Sequence, residues 1–369
     1  MKALRTCCIV GLFLFSIAGH AQLLIGQTVG VTGAVAATVK ESMAGAKLYL
    51  DSVNAKGGIR GEKVQLITLD DKFDVKQAQE NARILVEDRH VLALFMNRGT
   101  PHTEALLPLL AKHDIALIGP STGAMVLHQP VKRQVFNVRS SYQREAQKAV
   151  QHLVTVGITR IALVHVDDSF GLDGLAGAQS GLEKASVKPQ VVLKFDRTKP
   201  DFGILIPEVI KSQAQAVIWI GSGTAVADGV KALRAAGSSA QVVTLSNNAS
   251  SGFIKLLGEQ ARGVIITQVL PSERATSYAF VKEAQDLARA QKGLELSPAV
   301  LEGFVSAKVL VEALRRASPQ PTRAKIITAL EAMDKFNVGG LDLSFSSTDH
   351  SGLDFVDLSI IGAEGKFQR

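Results

Sequence analysis

Cysteine is nearly absent from this chain of 369 residues, and its only two, Cys7 and Cys8, stand side by side near the start. Disulfides, thiolate chemistry and cysteine zinc sites are therefore excluded from almost all of the sequence. Aromatic residues are sparse, at 5% with a single Trp, and no stretch interleaves them with basic residues as a nucleic-acid surface would. Long apolar runs are missing too. The run Cys7 to Ala18 falls short of the roughly 20 residues that cross a bilayer, and no later segment is long and apolar enough. Preceded by Lys2 and Arg5 and followed by Gly19-His20-Ala21, that run has the pattern of a cleaved secretory signal peptide. The mature chain is expected to begin at about Gln22. A lipid anchor would want its cysteine at the end of the apolar run, whereas both lie at its beginning.

Charge of one sign is scarce as well. Loss of residues 1–21 removes Lys2 and Arg5 and no acid, so 41 Lys and Arg become 39 against 34 Asp and Glu, a net charge of +5. That excess is mixed with acids, as in Lys56, Arg60, Glu62 and Lys63, and reads as a solvated surface, with no nucleic-acid partner expected. No Gly-x-Gly-x-x-Gly follows the first strand, where the glycines are Gly26, Gly30 and Gly33, and no phosphate-loop Gly-Lys-Ser/Thr occurs. Nucleotide binding loses its usual carriers, no cofactor or metal is expected, and a hydrolase constellation is expected to be absent. His90, His102, His113, His128, His152, His165 and His350 lack metal-ligand spacing. Asp70, Asp71 and Asp74, after a strand and before a helix, read as turn and N-cap residues rather than a metal cluster.

What the sequence does contain is alternation. Short apolar runs rich in β-branched residues, Leu23 to Val29, Val64 to Leu69, Val91 to Met96, Ile115 to Ile118, Ile161 to Val166, Val191 to Phe195, Ala216 to Ile220, Val242 to Leu245 and Val264 to Val269, read as strands. Between them lie stretches of helical period: Lys40 to Asn54, Val75 to Asp88, Thr100 to Lys112, Gln143 to Val156, Gly171 to Lys184 and Ala225 to Ala236. This order predicts an α/β fold with parallel sheets covered on both faces, and the length predicts two domains. In such sheets ligands bind beyond the carboxyl ends of the strands. The loops there, Asn97 to Thr100, Gly119 to Gly123, Asp167 to Gly171, Gly221 to Thr224 and Ser246 to Asn248, concentrate hydroxyls, amides and backbone donors. A small polar ligand suits them, and helix N-termini favour an anionic group such as a carboxylate. Thr100 before Pro101 can also be read as a helix N-cap alone.

Several segments together resemble the branched-chain amino-acid binding proteins, the type I periplasmic binding proteins of the Leu/Ile/Val family. They are Ile25-Gly26-Gln27; Asn54-Ala55-Lys56-Gly57-Gly58-Ile59 with Gly61; Asp70-Asp71 with Asp74-Val75-Lys76-Gln77-Ala78; Ile118-Gly119-Pro120-Ser121-Thr122; and Ser169-Phe170-Gly171. The resemblance implies two Rossmann-like lobes joined by three crossovers, residues 22–140 with 271–338 and residues 141–270 with 339–369, closing on ligand in the cleft between them. It implies a monomeric periplasmic solute-binding protein, not an enzyme, whose partners are the permease and ATPase subunits of an ABC importer. The same lobes also serve as sensor modules of signalling receptors, and a secreted α/β enzyme is a further alternative. Carried over by position, the hydroxyl that binds a ligand carboxylate falls on Thr100, the backbone-and-hydroxyl loop on Ser121, Thr122 and Gly123, an aromatic wall on Phe170, and a further contact on Ser222. Where those receptors pair an acid with the ligand ammonium, Ser246 or Asn247 stands here. Unless Asp167 or Asp168 replaces that acid, the ligand is expected to be an amide or an organic or aromatic acid rather than an aliphatic amino acid.

Overall fold

The structure, a computed structural model, describes residues 22–291 and 293–369. The expected signal peptide, residues 1–21, lies outside the described residues. The first lobe opens with β1 (Gln22–Val29), α1 (Ala36–Ala55), β2 (Lys63–Asp70), α2 (Val75–Arg83), β3 (Ala93–Phe95), α3 (Thr100–His113), β4 (Leu117–Ile118) and β5 (Val135–Phe136). These strands form one parallel sheet in the order β2-β1-β3-β4-β5. The second lobe repeats the plan with α4 (Tyr142–Thr155), β6 (Ile161–Val166), α5 (Ser169–Lys184), β7 (Val191–Phe195), α6 (Phe202–Lys211), β8 (Ala216–Ile220), α7 (Gly223–Ala235), β9 (Gln241–Thr244), α8 (Ser251–Leu257) and β10 (Ile265–Gln268). Its parallel strands run β7-β6-β8-β9-β10. The expected alternation of strand and helix in two lobes is what is found.

The C-terminal quarter departs from a purely parallel plan. Helices α9 (Ala279–Ala290), α10 (Pro298–Ala317) and α11 (Arg323–Glu331) return to the first lobe, followed by the hairpin strands β11 (Phe336–Asn337) and β12 (Asp342–Leu343). Strands β13 (Asp357–Ile361) and β14 (Phe367–Gln368) then join the second sheet antiparallel, beside β10. Leu343, Phe345 and Leu353 pack in the first lobe's apolar cluster with Phe304 and Phe136. Residues 339–353, assigned by the resemblance to the second lobe, therefore contribute to the first. Helix α10 crosses α1 with no room for side chains at the contact. A Cβ at Gly45 would lie 1.8 Å from the Val300 carbonyl oxygen, and one at Gly303 equally close to that of Ser42. Among the described residues no helix is long and apolar enough to cross a membrane.

Local chemistry starts the helices. Asp74, Ser141, Asp168, Asp201, Ser250, Ser297 and Thr322 each accept a backbone N–H from the first turn that follows, a cap that contributes about 1 kcal/mol. Asp74 is thus the N-cap that its position predicts. Asp70 and Asp71 hold the turn before it, accepting from Thr32, Lys72, Phe73 and Thr28.

Burial pushes the Asp71 carboxyl up to about 6, against the hydrogen bonds from Phe73 and Thr28. The folded protein therefore holds a proton that the unfolded chain sheds near pH 4, so this group's effect on stability becomes unfavourable as pH rises from about 4 to 6. Asp71→Asn is expected to leave stability unchanged at pH 4 and raise it at pH 7.5, by on the order of 2 kcal/mol. Urea denaturation of both proteins at the two pH values checks this, and an equal effect at both would refute it.

Candidate functional site

Both sheets reverse strand order at their first strand, between β1 and β3 and between β6 and β8. The loops beyond those carboxyl ends face each other across the lobes. Val35, Phe73, Arg98, Gly99, Ser121 and Tyr142 meet Phe170, Arg197, Ser222 and Asn247 around a narrow cavity. The free volume between them is about 20 Å³, room for about one water. A larger groove of about 670 Å³ runs from α8 past Arg274 and Arg289 to Phe367, remote from these loops.

The loop after β3 carries the main surprise. Gly99, at φ +95°, precedes α3 as its N-cap, so Thr100 is the first helical residue rather than the cap. A Cβ at Gly99 would meet His102 Nδ1 at 2.7 Å and the Phe73 ring at 3.0 Å. The glycine lets the chain turn Arg98 into the cleft. The Arg98 guanidinium is buried. Nη1 donates to Ser121 Oγ at 3.1 Å, and Nη2 donates across the cleft to the Asn247 carbonyl at 2.5 Å. Desolvation pulls its pKa below the usual arginine value. Among the described residues no carboxylate is in salt-bridge contact with it.

Two further guanidiniums flank it. Arg139 lies in the crossover after β5, over the Tyr142 ring at 4.7 Å. It is bonded to Glu145, donates to Ser246 Oγ at 2.6 Å, and lies 3.6 Å from Glu302. Burial opposes its charge, yet Glu145 and Glu302 hold its pKa above the usual value. Arg197, after β7, pairs with Asp168. His102, stacked on Phe73 with ring centroids 4.3 Å apart, is held neutral by burial, with its pKa pushed down to about 4.

The residues named from sequence separate into two groups. Ser121, Phe170, Ser222 and Asn247 line the cavity. Thr100 and Thr122 do not: their hydroxyls bond each other at 2.8 Å, fully buried behind the wall. Gly123 is also buried there, its α-carbon turned toward the Ser140 and Ser141 backbone. Ser246 sits beneath the cavity, its N–H on Glu145 at 2.9 Å and its hydroxyl on Arg139. The Asn247 Nδ2 donates to the Gly221 carbonyl and to Asn248 Oδ1, its Oδ1 is buried without a hydrogen-bond partner among the described residues, and its backbone carbonyl accepts from Arg98. Asp168 caps α5 and holds Arg197, while Asp167 pairs with Lys194 at the surface. Arg98, Arg139, Arg197, Phe73 and Tyr142 were absent from the expected set. Gly119-Pro120-Ser121-Thr122-Gly123 has the Gly-x-Ser-x-Gly spacing of a hydrolase elbow, against the expectation of no such constellation. Ser121 Oγ nevertheless takes its hydrogen bonds from Arg98 and to Glu302 at 3.0 Å, not to an imidazole, and a short 3₁₀ turn follows the loop rather than a helix.

The rest of the chain agrees with this geometry when set beside known proteins. Residues 22–354 match the sequence profile of a family described as periplasmic binding protein. The chain is 27% identical over 272 residues to the Leu/Ile/Val-binding protein of Escherichia coli (strain K12), covering 72% of each. Among solved structures it is similar to a substrate-binding periplasmic protein from Ralstonia solanacearum, with 30% identity, TM-score 0.86, and 94% of this chain and 99% of that one covered. It is also similar to a possible leucine/isoleucine/valine-binding protein from Rhodopirellula baltica SH 1, with 26% identity, TM-score 0.88, and 95% and 97% covered. With two switch-point sheets meeting at a single interlobe cleft and a profile match across both lobes, the chain belongs to the periplasmic binding protein family.

Proposed function

We propose that this protein captures a small carboxylate with an apolar body and no ammonium group, and delivers it to the permease and ATPase subunits of an ABC importer. It does so in the periplasm, as a monomer exported through a cleaved leader, and transforms nothing. The observation that carries the ligand class is Arg98, a buried guanidinium on the cavity wall whose hydrogen bonds among the described residues run to a hydroxyl and a backbone carbonyl. A buried guanidinium that no carboxylate among these residues contacts directly favours an anion. Val35, Phe73, Tyr142 and Phe170 supply the apolar walls. No Asp or Glu stands among the residues lining the cavity, and Asp168 is already engaged. The similarity to a Leu/Ile/Val-binding protein supports capture of a small solute, while these substitutions argue against an amino acid.

Lobe closure follows the same cleft. Glu41 on α1 accepts from the Ser251 and Gly252 N–H groups of α8 at 3.0 and 2.6 Å, Thr38 bonds Ser250 at 3.0 Å, and Ser169 donates to Glu104 at 2.5 Å. A ligand enters as these bonds part. The test is calorimetric titration with leucine and with 4-methyl-2-oxopentanoate, which share a carbon skeleton and differ at the ammonium. The keto acid is expected to bind at least about tenfold tighter, since burying an unpaired ammonium costs more than 1.4 kcal/mol. Tight binding of leucine would overturn the reading.

A further inference from the structure

We infer that Asp168 sets the charge of the ligand the cleft accepts: by neutralising Arg197 it makes the site select an acid with one negative charge over an acid with two. The inference rests on the carboxylate reading above and deepens it.

Arg197 reaches the cavity wall from the second lobe. Its guanidinium lies 5.1 Å from the Phe73 ring centroid of the first lobe and 6.0 Å from that of Phe170, so two aromatic faces fix its direction. Nε donates to Asp168 Oδ2 at 2.6 Å, and Nη2 is in ionic contact with the same oxygen. The pair is largely withdrawn from water, its side chains 18% and 19% exposed. The other Asp168 oxygen accepts from the Phe170 and Gly171 N–H groups at 3.0 and 3.2 Å. The carboxylate is thereby anchored to the start of α5, and Arg197 is held to it. Nη2 itself is buried and makes no hydrogen bond of good geometry.

Of the two guanidiniums on the cavity wall, Arg98 contacts neutral groups and Arg197 carries its own counter-ion. The three guanidiniums Arg98, Arg139 and Arg197 are matched by Glu145, Glu302 and Asp168, so a carboxylate on Arg98 adds one negative charge, held by direct contact with the one guanidinium of the three that no carboxylate among the described residues touches. A second one directed at Arg197 would meet Asp168 within the same water-poor space, where like charges repel most strongly. Arg139 offers no alternative, because Glu145 contacts it and Glu302 lies 3.6 Å away.

The test is calorimetric titration with 3-phenylpropanoate and phenylsuccinate, which share a phenyl group and differ by one carboxylate. The unmodified protein is expected to prefer 3-phenylpropanoate by about tenfold or more, the scale of a like-charge clash. Asp168→Asn keeps an oxygen to cap α5 and is expected to shift the ratio toward phenylsuccinate by about tenfold or more. Arg197→Gln leaves Asp168 uncompensated and is expected to weaken both acids by about tenfold or more. A preference for phenylsuccinate in the unmodified protein, an unchanged ratio in folded Asp168→Asn, or undiminished binding by Arg197→Gln overturns the inference and leaves the carboxylate reading intact. If the unmodified protein binds neither acid and also fails to bind 4-methyl-2-oxopentanoate, the carboxylate reading itself falls and takes this inference with it.

Discussion

Arg98→Met is expected to lower affinity for the carboxylate ligand at least about a hundredfold while leaving the protein as stable as before, or more so. Truncating one partner of a buried, hydrogen-bonded charge pair costs about 2 to 5 kcal/mol of binding, and each 1.4 kcal/mol is a factor of about ten. Arg98 would be such a partner once a carboxylate is bound. For the stability of the fold the balance is different. The guanidinium is buried against Ser121 Oγ and the Asn247 carbonyl, and desolvation disfavours its charge. Removing the buried charge relieves its desolvation, which offsets the two hydrogen bonds lost with it. Stability and affinity should therefore move in different directions, which no general loss of folding would produce. Thermal denaturation and calorimetry on the same preparation provide the measurement. A binding constant within about threefold of the unmodified protein would remove Arg98 from the site.

The placement of Arg98 shows where sequence reading reached and where it stopped. Strands β6, β7 and β8 were legible residue for residue, because each is an apolar run bounded by polar turns. Strand β5 has two residues, Val135 and Phe136, too few to show any period, and it went unread. So did the Asn137–Ser141 crossover beyond it, which delivers Arg139. Strands β13 and β14 pair antiparallel at the end of a sheet that alternation predicts to be parallel, and nothing local announces that reversal. At the site, the rule that ligands meet the carboxyl ends of strands leads to the loop holding Arg98, but the resemblance points to the hydroxyl of Thr100 rather than the guanidinium two residues earlier. Thr100 turns inward because Gly99 takes the cap position and α3 begins with Thr100 already helical. Arg197 follows β7 by the same rule, in Phe195-Asp196-Arg197. Its signal was a cation at a strand end, a feature that a search for hydroxyls and glycines passes over.

The largest change in stability is expected at Glu145, which joins the lobes from beneath. Glu145 is fully buried on α4. It binds Arg139 in the first crossover, accepts from the Ser246 N–H at 2.9 Å, and is bonded to Thr267 Oγ1 on β10, where the chain prepares to cross back. One carboxylate thus ties two of the connecting segments to the second sheet. In Glu145→Gln the amide nitrogen has to face one of three donors, and the one carboxylate left near Arg139 among the described residues is Glu302, at 3.6 Å. Removing one member of a buried ion pair costs about 3 to 5 kcal/mol, because the remaining charge stays desolvated and unpaired. The paired replacement Glu145→Met with Arg139→Met takes both charges away and is expected to recover at least half of that loss, since an ion pair and a packed apolar pair of equal volume differ little in net stability. Urea unfolding of Glu145→Met, Arg139→Met and the double variant gives the coupling directly, with Glu145→Gln measured beside them. A Glu145→Gln protein within about 1 kcal/mol of the original would mean that Arg139 finds sufficient compensation from Glu302 and Ser246, and that the crossovers are held by packing alone.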